Sequence, residues 1–228
     1  MTQFNQPTKP NYALTSLLFA ASLGFASTVD AALMSRLGGQ AVYDTDRNIT
    51  WLADANYAQT SGYDADGLMN WTAANAWAAS LNIGGYTGWR LPTTLQPDPT
   101  CSHPSVSDSY GYNCTGSELG HLFYSELGAT FFNSSLTGSN TAGLALFINI
   151  QSAIYWSDTE YAPIPTAAWF FDTSRGLQEA DLKGTDHYAW AVRDGDVGGA
   201  GTVPEPSMIW LFSAGALAWS GTRSRRRG

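Results

Sequence analysis

The segment that begins at Asp44 starts with oxygen-bearing side chains, as a calcium-binding loop does. Asp44, Asp46 and Asn48 occupy every second position, as ligands do at the start of an EF-hand loop. That loop would also need glycine at its sixth position and glutamate at its twelfth. The chain has Ile49 and Ala55 there, so the segment is predicted to be a turn between two strands.

Other acidic and amide side chains carry oxygen atoms that could form a different type of calcium site, although nothing in their spacing selects calcium. Paired carboxylates of the kind that glycosidases use also stay open, because acidic residues are plentiful. Most acidic residues simply solvate a surface, and no other cofactor is predicted. The calcium candidates are Asp54, Asn56, Asp64, Asp66, Asp158 and Glu160.

Other catalytic arrangements are missing from the sequence. No Gly-x-Ser-x-Gly segment occurs, so a serine esterase would lack its nucleophile elbow. The histidines His103, His121 and His187 are scattered, and for His121 a packing or hydrogen-bonding role is favoured over that of a base. The sequence therefore predicts a domain that is not an enzyme.

Two arginines are candidates for structural ion pairs. Arg90 and Arg193 each follow a tryptophan closely in segments that should be half-buried. A buried guanidinium must find carboxylates or carbonyls. We predict that both pair inside the protein, for example with Glu118 or Glu160, and hold the neighbouring loops.

Six tryptophans could stack on sugars, but their helix and strand spacing favours a place in the core. They are Trp71, Trp77, Trp89, Trp156, Trp169 and Trp190.

Among residues 33–202 there are six basic and 17 acidic residues, a net charge of −11. Such a domain should repel nucleic acid, and it is too rich in tryptophan to be disordered.

The elements that position these side chains indicate helices early and strands late. The predicted helices are 71–81, capped by Asn70, and one from Thr115 to about Leu127 that begins with a capping box to Glu118. Residues 53–68 are expected to form a loop. Strands are predicted at 42–44 and 49–52, at an extended segment 89–93, and at three antiparallel aromatic runs, 154–157, 167–171 and 188–192. This is an α+β arrangement with two main helices.

The N-terminus has the features of a secretory signal peptide. Lys9 is the only charged side chain in the first 29 residues, and the run 13–26 is uncharged. Small residues then favour cleavage after Ala31, so that Ala32 begins the mature chain. A buried helix is the alternative, but an amphipathic helix needs alternating polar residues. Residues 1–31 are therefore predicted to be removed by signal peptidase.

The C-terminus mirrors this pattern beyond a Gly-rich linker at 198–202. An uncharged stretch at 208–221 would span roughly 21 Å as a helix, short of the ~30 Å hydrocarbon core. Arginines at 223–227 should stay on the cytoplasmic side, so the segment is a marginal transmembrane helix. The motif ahead of it consists of Val203, Pro204, Glu205 and Pro206.

Together, residues 203–228 resemble the PEP-CTERM sorting signal of Gram-negative bacteria. The resemblance implies a transient inner-membrane anchor, cleavage by an exosortase near the Pro-Glu-Pro motif, and delivery to the cell surface or the extracellular matrix. An ordinary anchor that is never cut is the alternative. Export would place Cys101 and Cys114 in an oxidising compartment, where a disulfide is expected.

That disulfide would staple the polar loop 96–115 and stabilise the fold by roughly 3 kcal/mol in the chain-entropy model. The alternative is a metal site, which would need further ligands. Only His103 and His121 are offered nearby.

The middle of the chain carries a series of motifs in a recognisable order. They are Thr50–Tyr57, Trp71 with Ala74 and Trp77, Gly85–Thr93, Ser117–Leu122, Tyr155–Tyr161 and Tyr188–Gly195. The most specific parts are the Trp-Arg-Leu-Pro-Thr and Tyr-Trp-Ser-Asp-Thr-Glu blocks. Together these motifs resemble the Lcl C-terminal domain family, named for a collagen-like adhesin of Legionella. The resemblance covers residues 38–197 of a predicted domain at 32–197.

The resemblance implies a single domain akin to C-type lectins and formylglycine-generating enzymes. The adhesin's domain is associated with sulfated polysaccharides, but a net charge of −11 offers no basic field for sulfate. The enzymes use late cysteines for copper, and this chain has none after Cys114. We therefore expect a non-catalytic, lectin-like binding or adhesion domain that contacts matrix polysaccharide or another surface component. A purely structural matrix protein and a glycan hydrolase are the alternatives.

Overall fold

The computed structural model describes residues 33–198, together with Met1. The predicted signal peptide with its cleavage at Ala31, the linker beyond residue 198 and the tail 203–228 lie outside the described residues. Within 33–198, helices and two largely antiparallel sheets confirm the α+β class. No helix in this part of the chain is long and apolar enough to cross a lipid bilayer.

The first sheet has four antiparallel strands. Its spatial order is β1 (Leu33–Arg36), β2 (Ala41–Asp44), β3 (Ile49–Leu52) and β9 (Val192–Asp194). The last strand of the domain therefore pairs with a strand from its beginning, with Thr50 opposite Arg193. This long-range pairing closes the domain on itself.

The turn between β2 and β3 forms where it was predicted, and its side chains explain why. The Asp44 Oδ1 atom accepts hydrogen bonds from the N–H groups of Asp46 and Arg47, both at 3.0 Å. Asn48 follows with a φ of 51°, a left-handed conformation that asparagine tolerates better than most residues. The alternating oxygens thus make a turn and not an EF-hand.

The second sheet has five strands and contains one parallel pair. Its order is β4 (Leu68–Met69), β8 (His187–Tyr188), β5 (Ile154–Glu160), β6 (Ala167–Asp172) and β7 (Leu177–Leu182). β5 and β8 run parallel, while the other neighbours are antiparallel. Neither β1 nor β7 was predicted, because β1 is a short edge strand and β7 has no regular alternation of buried apolar and exposed polar residues.

The prediction of one antiparallel strand over 188–192 is wrong, because the chain changes sheets there. β8 ends at Tyr188 and β9 begins at Val192. Between them Trp190 is buried, and its Nε1–H donates to the Leu52 carbonyl at 2.8 Å. Its ring also lies 5.7 Å from that of Tyr155 in β5. Trp190 therefore ties the two sheets together.

The helices are mostly short. Among residues 33–198 only the second helix has more than five residues. Its N-cap Asn70 accepts a hydrogen bond from the Ala73 N–H at 3.0 Å, as predicted. The segment 53–68, expected to be loop, contains a helical turn and ends at β4. The bounds are α1 Tyr57–Thr60, α2 Trp71–Ser80, α3 Glu118–His121, a π-helix Leu122–Glu126, α4 Thr141–Leu144, and 3-10 turns at Leu37–Gly39 and Ser135–Thr137.

The predicted capping box from Thr115 to Glu118 is wrong. Ser117 takes the N-cap position of α3, without a side-chain cap. The Glu118 carboxylate points to Arg90 instead, and it also accepts a hydrogen bond from the Thr93 N–H at 2.6 Å. A guanidinium gives the carboxylate two parallel hydrogen bonds from an opposite charge, whereas a backbone cap gives it one from a neutral donor.

Tryptophan burial follows the core prediction, and an ion pair joins the two ends of the domain. Trp71 is half-buried, and the other five tryptophans named as core candidates are buried. At the domain ends, the Arg36 guanidinium makes two hydrogen bonds to the Asp196 carboxylate, at 2.7 and 2.9 Å. The first strand and the chain just after β9 are therefore held side by side.

Candidate functional site

The polar loop 96–115 is folded around a disulfide. Cys101 and Cys114 are bonded with an S–S distance of 2.08 Å, as predicted. Both thiols are consumed by this bond, so they are not free to act as metal ligands with His103 or His121. The loop thus has a fixed base on which to hold side chains.

Hydrogen bonds also attach this loop to β7. Gly111 and Gln178 exchange backbone hydrogen bonds at 2.9 and 2.8 Å. The buried Gln178 side chain donates to the Ser109 carbonyl at 3.1 Å. The amide of Gln96 holds Ser109 from the other side, accepting from its N–H and donating to its carbonyl. The loop is therefore laid along the edge of the second sheet.

A cleft of about 450 Å³ lies where the loop meets β6 and β7. That size is within the range of small-molecule sites. Its walls combine three aromatic rings with two carboxylates. The lining residues are Asp108, Tyr110, Tyr161, Trp169, Glu179 and Ala180.

The aromatic rings of the cleft are held by other rings. Tyr161 packs edge-on against the buried Trp169, with centroids 5.1 Å apart. Tyr110 stacks on His103 at 4.8 Å, with the ring planes 4° apart, and 43% of its surface is exposed. The two tyrosines are thus fixed in orientation while Tyr110 remains open to solvent.

Asp108 supplies a carboxylate that stays ionised. It accepts hydrogen bonds from the hydroxyls of Ser105 and Ser107 at 2.7 and 3.1 Å. These bonds, that of Ser105 first, lower the pKa of Asp108. The Tyr161 hydroxyl lies 3.5 Å from its other oxygen, and burial together with this charge raises the pKa of Tyr161. Asp108 is therefore a hydrogen-bond acceptor facing a protonated phenol.

This combination of groups suits hydroxyl-bearing or cationic ligands. Aromatic faces provide apolar contact and attract cations, and an ionised carboxylate only accepts hydrogen bonds. Two carboxylates disfavour anionic ligands. A smaller pocket of about 260 Å³ beside Asp54 is less suited, because that carboxylate is already bonded by the Asn56 N–H and the Asn149 amide.

Two of the four predicted ion-pair residues, Arg90 and Glu118, form an ion pair. The Arg90 guanidinium makes two parallel hydrogen bonds to Glu118, both at 2.8 Å, and a third to Asp194 at 2.5 Å. Burial opposes the charge on Arg90, but the bonds to Glu118 and then Asp194 outweigh it and raise the pKa of Arg90. Its backbone also pairs with Val192. Arg90 thus links the extended segment 89–93, α3 and β9.

Arg193 and Glu160 do not form the predicted pair. Arg193 donates to the carbonyl oxygens of Thr87 and Asp194 at 2.8 and 2.9 Å, because it faces the loop before Arg90. Glu160 instead binds the Lys183 ammonium at 2.8 Å. The guanidinium of Arg193 therefore finds carbonyls rather than a carboxylate.

The calcium candidates mainly stabilise turns. Asp64 Oδ1 accepts from the N–H groups of Asp66 and Gly67 at 3.1 and 2.8 Å. Asp66 in turn accepts from the Leu68 N–H at 3.0 Å. Within residues 33–198, none of these candidates belongs to a group of three or more potential metal-ligating side chains.

Sequence reasoning missed most of the cleft. Only Trp169 was singled out, and its burial leaves it supporting Tyr161 rather than facing solvent. Asp108 and Tyr110 in the loop lie far from Glu179 along the chain, and they meet it only because the loop is attached to β7. The one local signal in the sequence was the presence of Tyr110 and Tyr112 in the otherwise polar loop 96–115.

Comparison with known proteins gives two family matches. Residues 202–227 match the PEP-CTERM protein-sorting motif, which makes this an exported surface protein targeted to an exosortase. No curated protein matches the chain. Residues 40–193, which include the loop, the second sheet, the cleft and most of the first sheet, match the Lcl C-terminal domain. The chain belongs to the Lcl C-terminal domain family.

Proposed function

We propose that this domain is a non-catalytic, lectin-like module that binds a neutral or amine-bearing saccharide of the cell surface or extracellular matrix. The observation that supports the proposal is the cleft, with its ordered tyrosines and ionised Asp108. Sugars present hydroxyl donors at their edges and apolar C–H faces, which such walls complement. The charge of −11 over residues 33–202 disfavours sulfated ligands.

The C-terminal tail supports the cellular setting of this proposal. The sorting motif at 202–227 would first hold the chain in the inner membrane through the apolar stretch 208–221. Exosortase would then cut near Glu205. Intact mass measurement of the released protein should show a chain that begins near Ala32 and ends near this motif, whereas retention of the arginine-rich end would indicate a permanent anchor.

The binding proposal is tested with a glycan array probed by the full-length protein. Glu179→Gln removes one carboxylate charge from the cleft and Tyr161→Ala removes one aromatic ring from its wall, and each should weaken binding at least tenfold. Asp186→Asn is a matched control, because Asp186 is exposed and carries the same charge but does not line the cleft. Equal binding by all four proteins would place the ligand elsewhere, and no binding at all would favour a purely structural role.

A glycan hydrolase is the second candidate, since Asp108 and Glu179 line one cleft. Hydrolysis needs one carboxyl that stays protonated to act as the acid. The pKa of Asp108 is lowered, not raised, and Glu179 is exposed to solvent. Binding without turnover is therefore favoured. Release of new reducing ends from a bound glycan, abolished by Glu179→Gln, would overturn this preference.

A further inference from the structure

Three side chains from separate elements meet in a second polar cluster. Asp44 ends β2, His121 ends α3, and Glu126 ends the π-helix. The His121 Nε2 atom lies 3.1 Å from Glu126 Oε1 and 3.9 Å from Asp44 Oδ2. One donor atom from each side chain lies within 4.8 Å of the others. None of the three residues lines the cleft.

One oxygen of this cluster has no hydrogen-bond partner among residues 33–198. Asp44 is 1% exposed, and its Oδ1 atom is held by the two backbone N–H groups of the β2–β3 turn. Its Oδ2 atom is buried, makes no hydrogen bond within the described part of the chain, and points toward His121. A buried carboxylate oxygen without a partner is costly. The turn therefore presents a fixed, unsatisfied acceptor to the cluster.

The π-helix explains why His121 and Glu126 share one face. In an α-helix, residues five apart are rotated by about 140° from each other. Here the Leu127 N–H bonds to the Leu122 carbonyl, five residues back, at 2.9 Å. This wider turn places the fifth residue nearly one full turn onward. π-turns are uncommon and frequently occur at functional sites.

The donor set indicates the type of ion. An imidazole nitrogen with two carboxylate oxygens suits Zn²⁺, whose bonds to such atoms are about 2.0–2.2 Å long. Tetrahedral bonds of that length hold ligand atoms about 3.4 Å apart, and the two observed separations bracket this value. Ca²⁺ takes about six to eight oxygens, more than these side chains offer.

We propose that Asp44, His121 and Glu126 bind one Zn²⁺ ion, with water in the fourth position. The ion satisfies the buried Asp44 oxygen and joins the first sheet to the helical segment 118–126. The backbone bonds to Asp44 Oδ1 orient that carboxylate, as hydrogen bonds to the ligand side chains do in zinc sites. The His121 side chain is 12% exposed, so the ion and its water are reachable from solvent.

The test uses the untagged full-length chain, stripped with a chelator and then titrated with ZnCl₂ or CaCl₂. We expect one Zn²⁺ per chain and, at a free concentration of a hundredfold Kd, a rise in Tm of about 5–10 °C. Co²⁺ should give the intense visible bands of a tetrahedral site. Calcium should produce neither effect.

Variants separate the cluster from adventitious binding. Glu126→Gln and Asp44→Asn are nearly isosteric and should each weaken Zn²⁺ binding at least tenfold. His103→Ala, which removes an exposed histidine outside the cluster, should bind as the parent does. The proposal is overturned if the chain binds no stoichiometric zinc, or if both cluster variants retain full affinity. Glycan binding by the Glu126→Gln protein tests the cleft separately, so either proposal can fail alone.

Discussion

Removal of the Arg90 side chain should destabilise the domain more than any comparable change at an exposed ion pair. Arg90→Ala eliminates two parallel hydrogen bonds to Glu118 and one to Asp194. It leaves the Glu118 carboxylate, whose side chain is 11% exposed, with the Thr93 N–H as its remaining partner. The variant thus leaves a nearly buried negative charge without its guanidinium partner.

The magnitude follows from the exposure of each partner. Loss of one member of a fully buried pair costs about 3–5 kcal/mol, but the Arg90 side chain is 27% exposed. The Asp194 side chain is 81% exposed, so its share is about 0–1 kcal/mol. We therefore expect a loss of about 3 kcal/mol, which for a domain of this size lowers the Tm by about 6–12 °C.

The assay is thermal and denaturant unfolding of the full-length chain, followed by tryptophan fluorescence. A double-mutant cycle with Glu118→Ala isolates the pair and should give a coupling energy of about 2 kcal/mol. Glu160→Ala is the control, because Glu160 is 59% exposed and its pair with Lys183 should contribute at most about 1 kcal/mol.

Two outcomes would refute the reasoning. If Arg90→Ala unfolds within about 0.5 kcal/mol of the parent, the pair does not hold the domain together. If the Arg90 and Glu118 changes are additive, the loss comes from packing of the Arg90 side chain and not from the ion pair.

Two further predictions concern the disulfide loop. Replacing both Cys101 and Cys114 by serine removes a bond across a sequence separation of 13. The free energy of unfolding should fall by about 3 kcal/mol. If reductant does not lower the Tm of the parent protein, the bond is not stabilising. Because the folded pKa of Asp108 lies below the value of about 3.9 in the unfolded chain, its contribution to stability is complete above that value and is lost as pH falls through the folded pKa. Ser105→Ala should raise the pKa of Asp108 in an NMR titration, and an unchanged midpoint would contradict the assigned cause.

Predictions from local sequence were correct where the structure depends on interactions between residues that are close together along the chain. The cap at Asn70, the turn that Asp44 organises and the bond between Cys101 and Cys114 each involve residues close together along the chain. Buried tryptophans followed from their size and spacing. Such features depend little on the rest of the fold, so one sequence suffices to find them.

Prediction failed where a distant partner outweighed a local one. The spacing of Glu118 favoured a helix cap, but Arg90 competes for the same carboxylate and forms two charge-assisted bonds. The cleft was missed for a related reason, since Asp108 and Glu179 become neighbours only after Gln178 bonds to the loop. The register of the loop 96–115 against β7 cannot be inferred from the sequence of either segment alone.

The ion pair between Arg36 and Asp196 has a mechanical consequence. If the domain were loaded through its C-terminal end, tension would enter it at residues 194–198. The force there meets two parallel hydrogen bonds to β1 and the pairing of β9 with β3. These contacts must break before β9 can peel away, so the junction between tether and domain behaves as a clamp that delays unfolding under load.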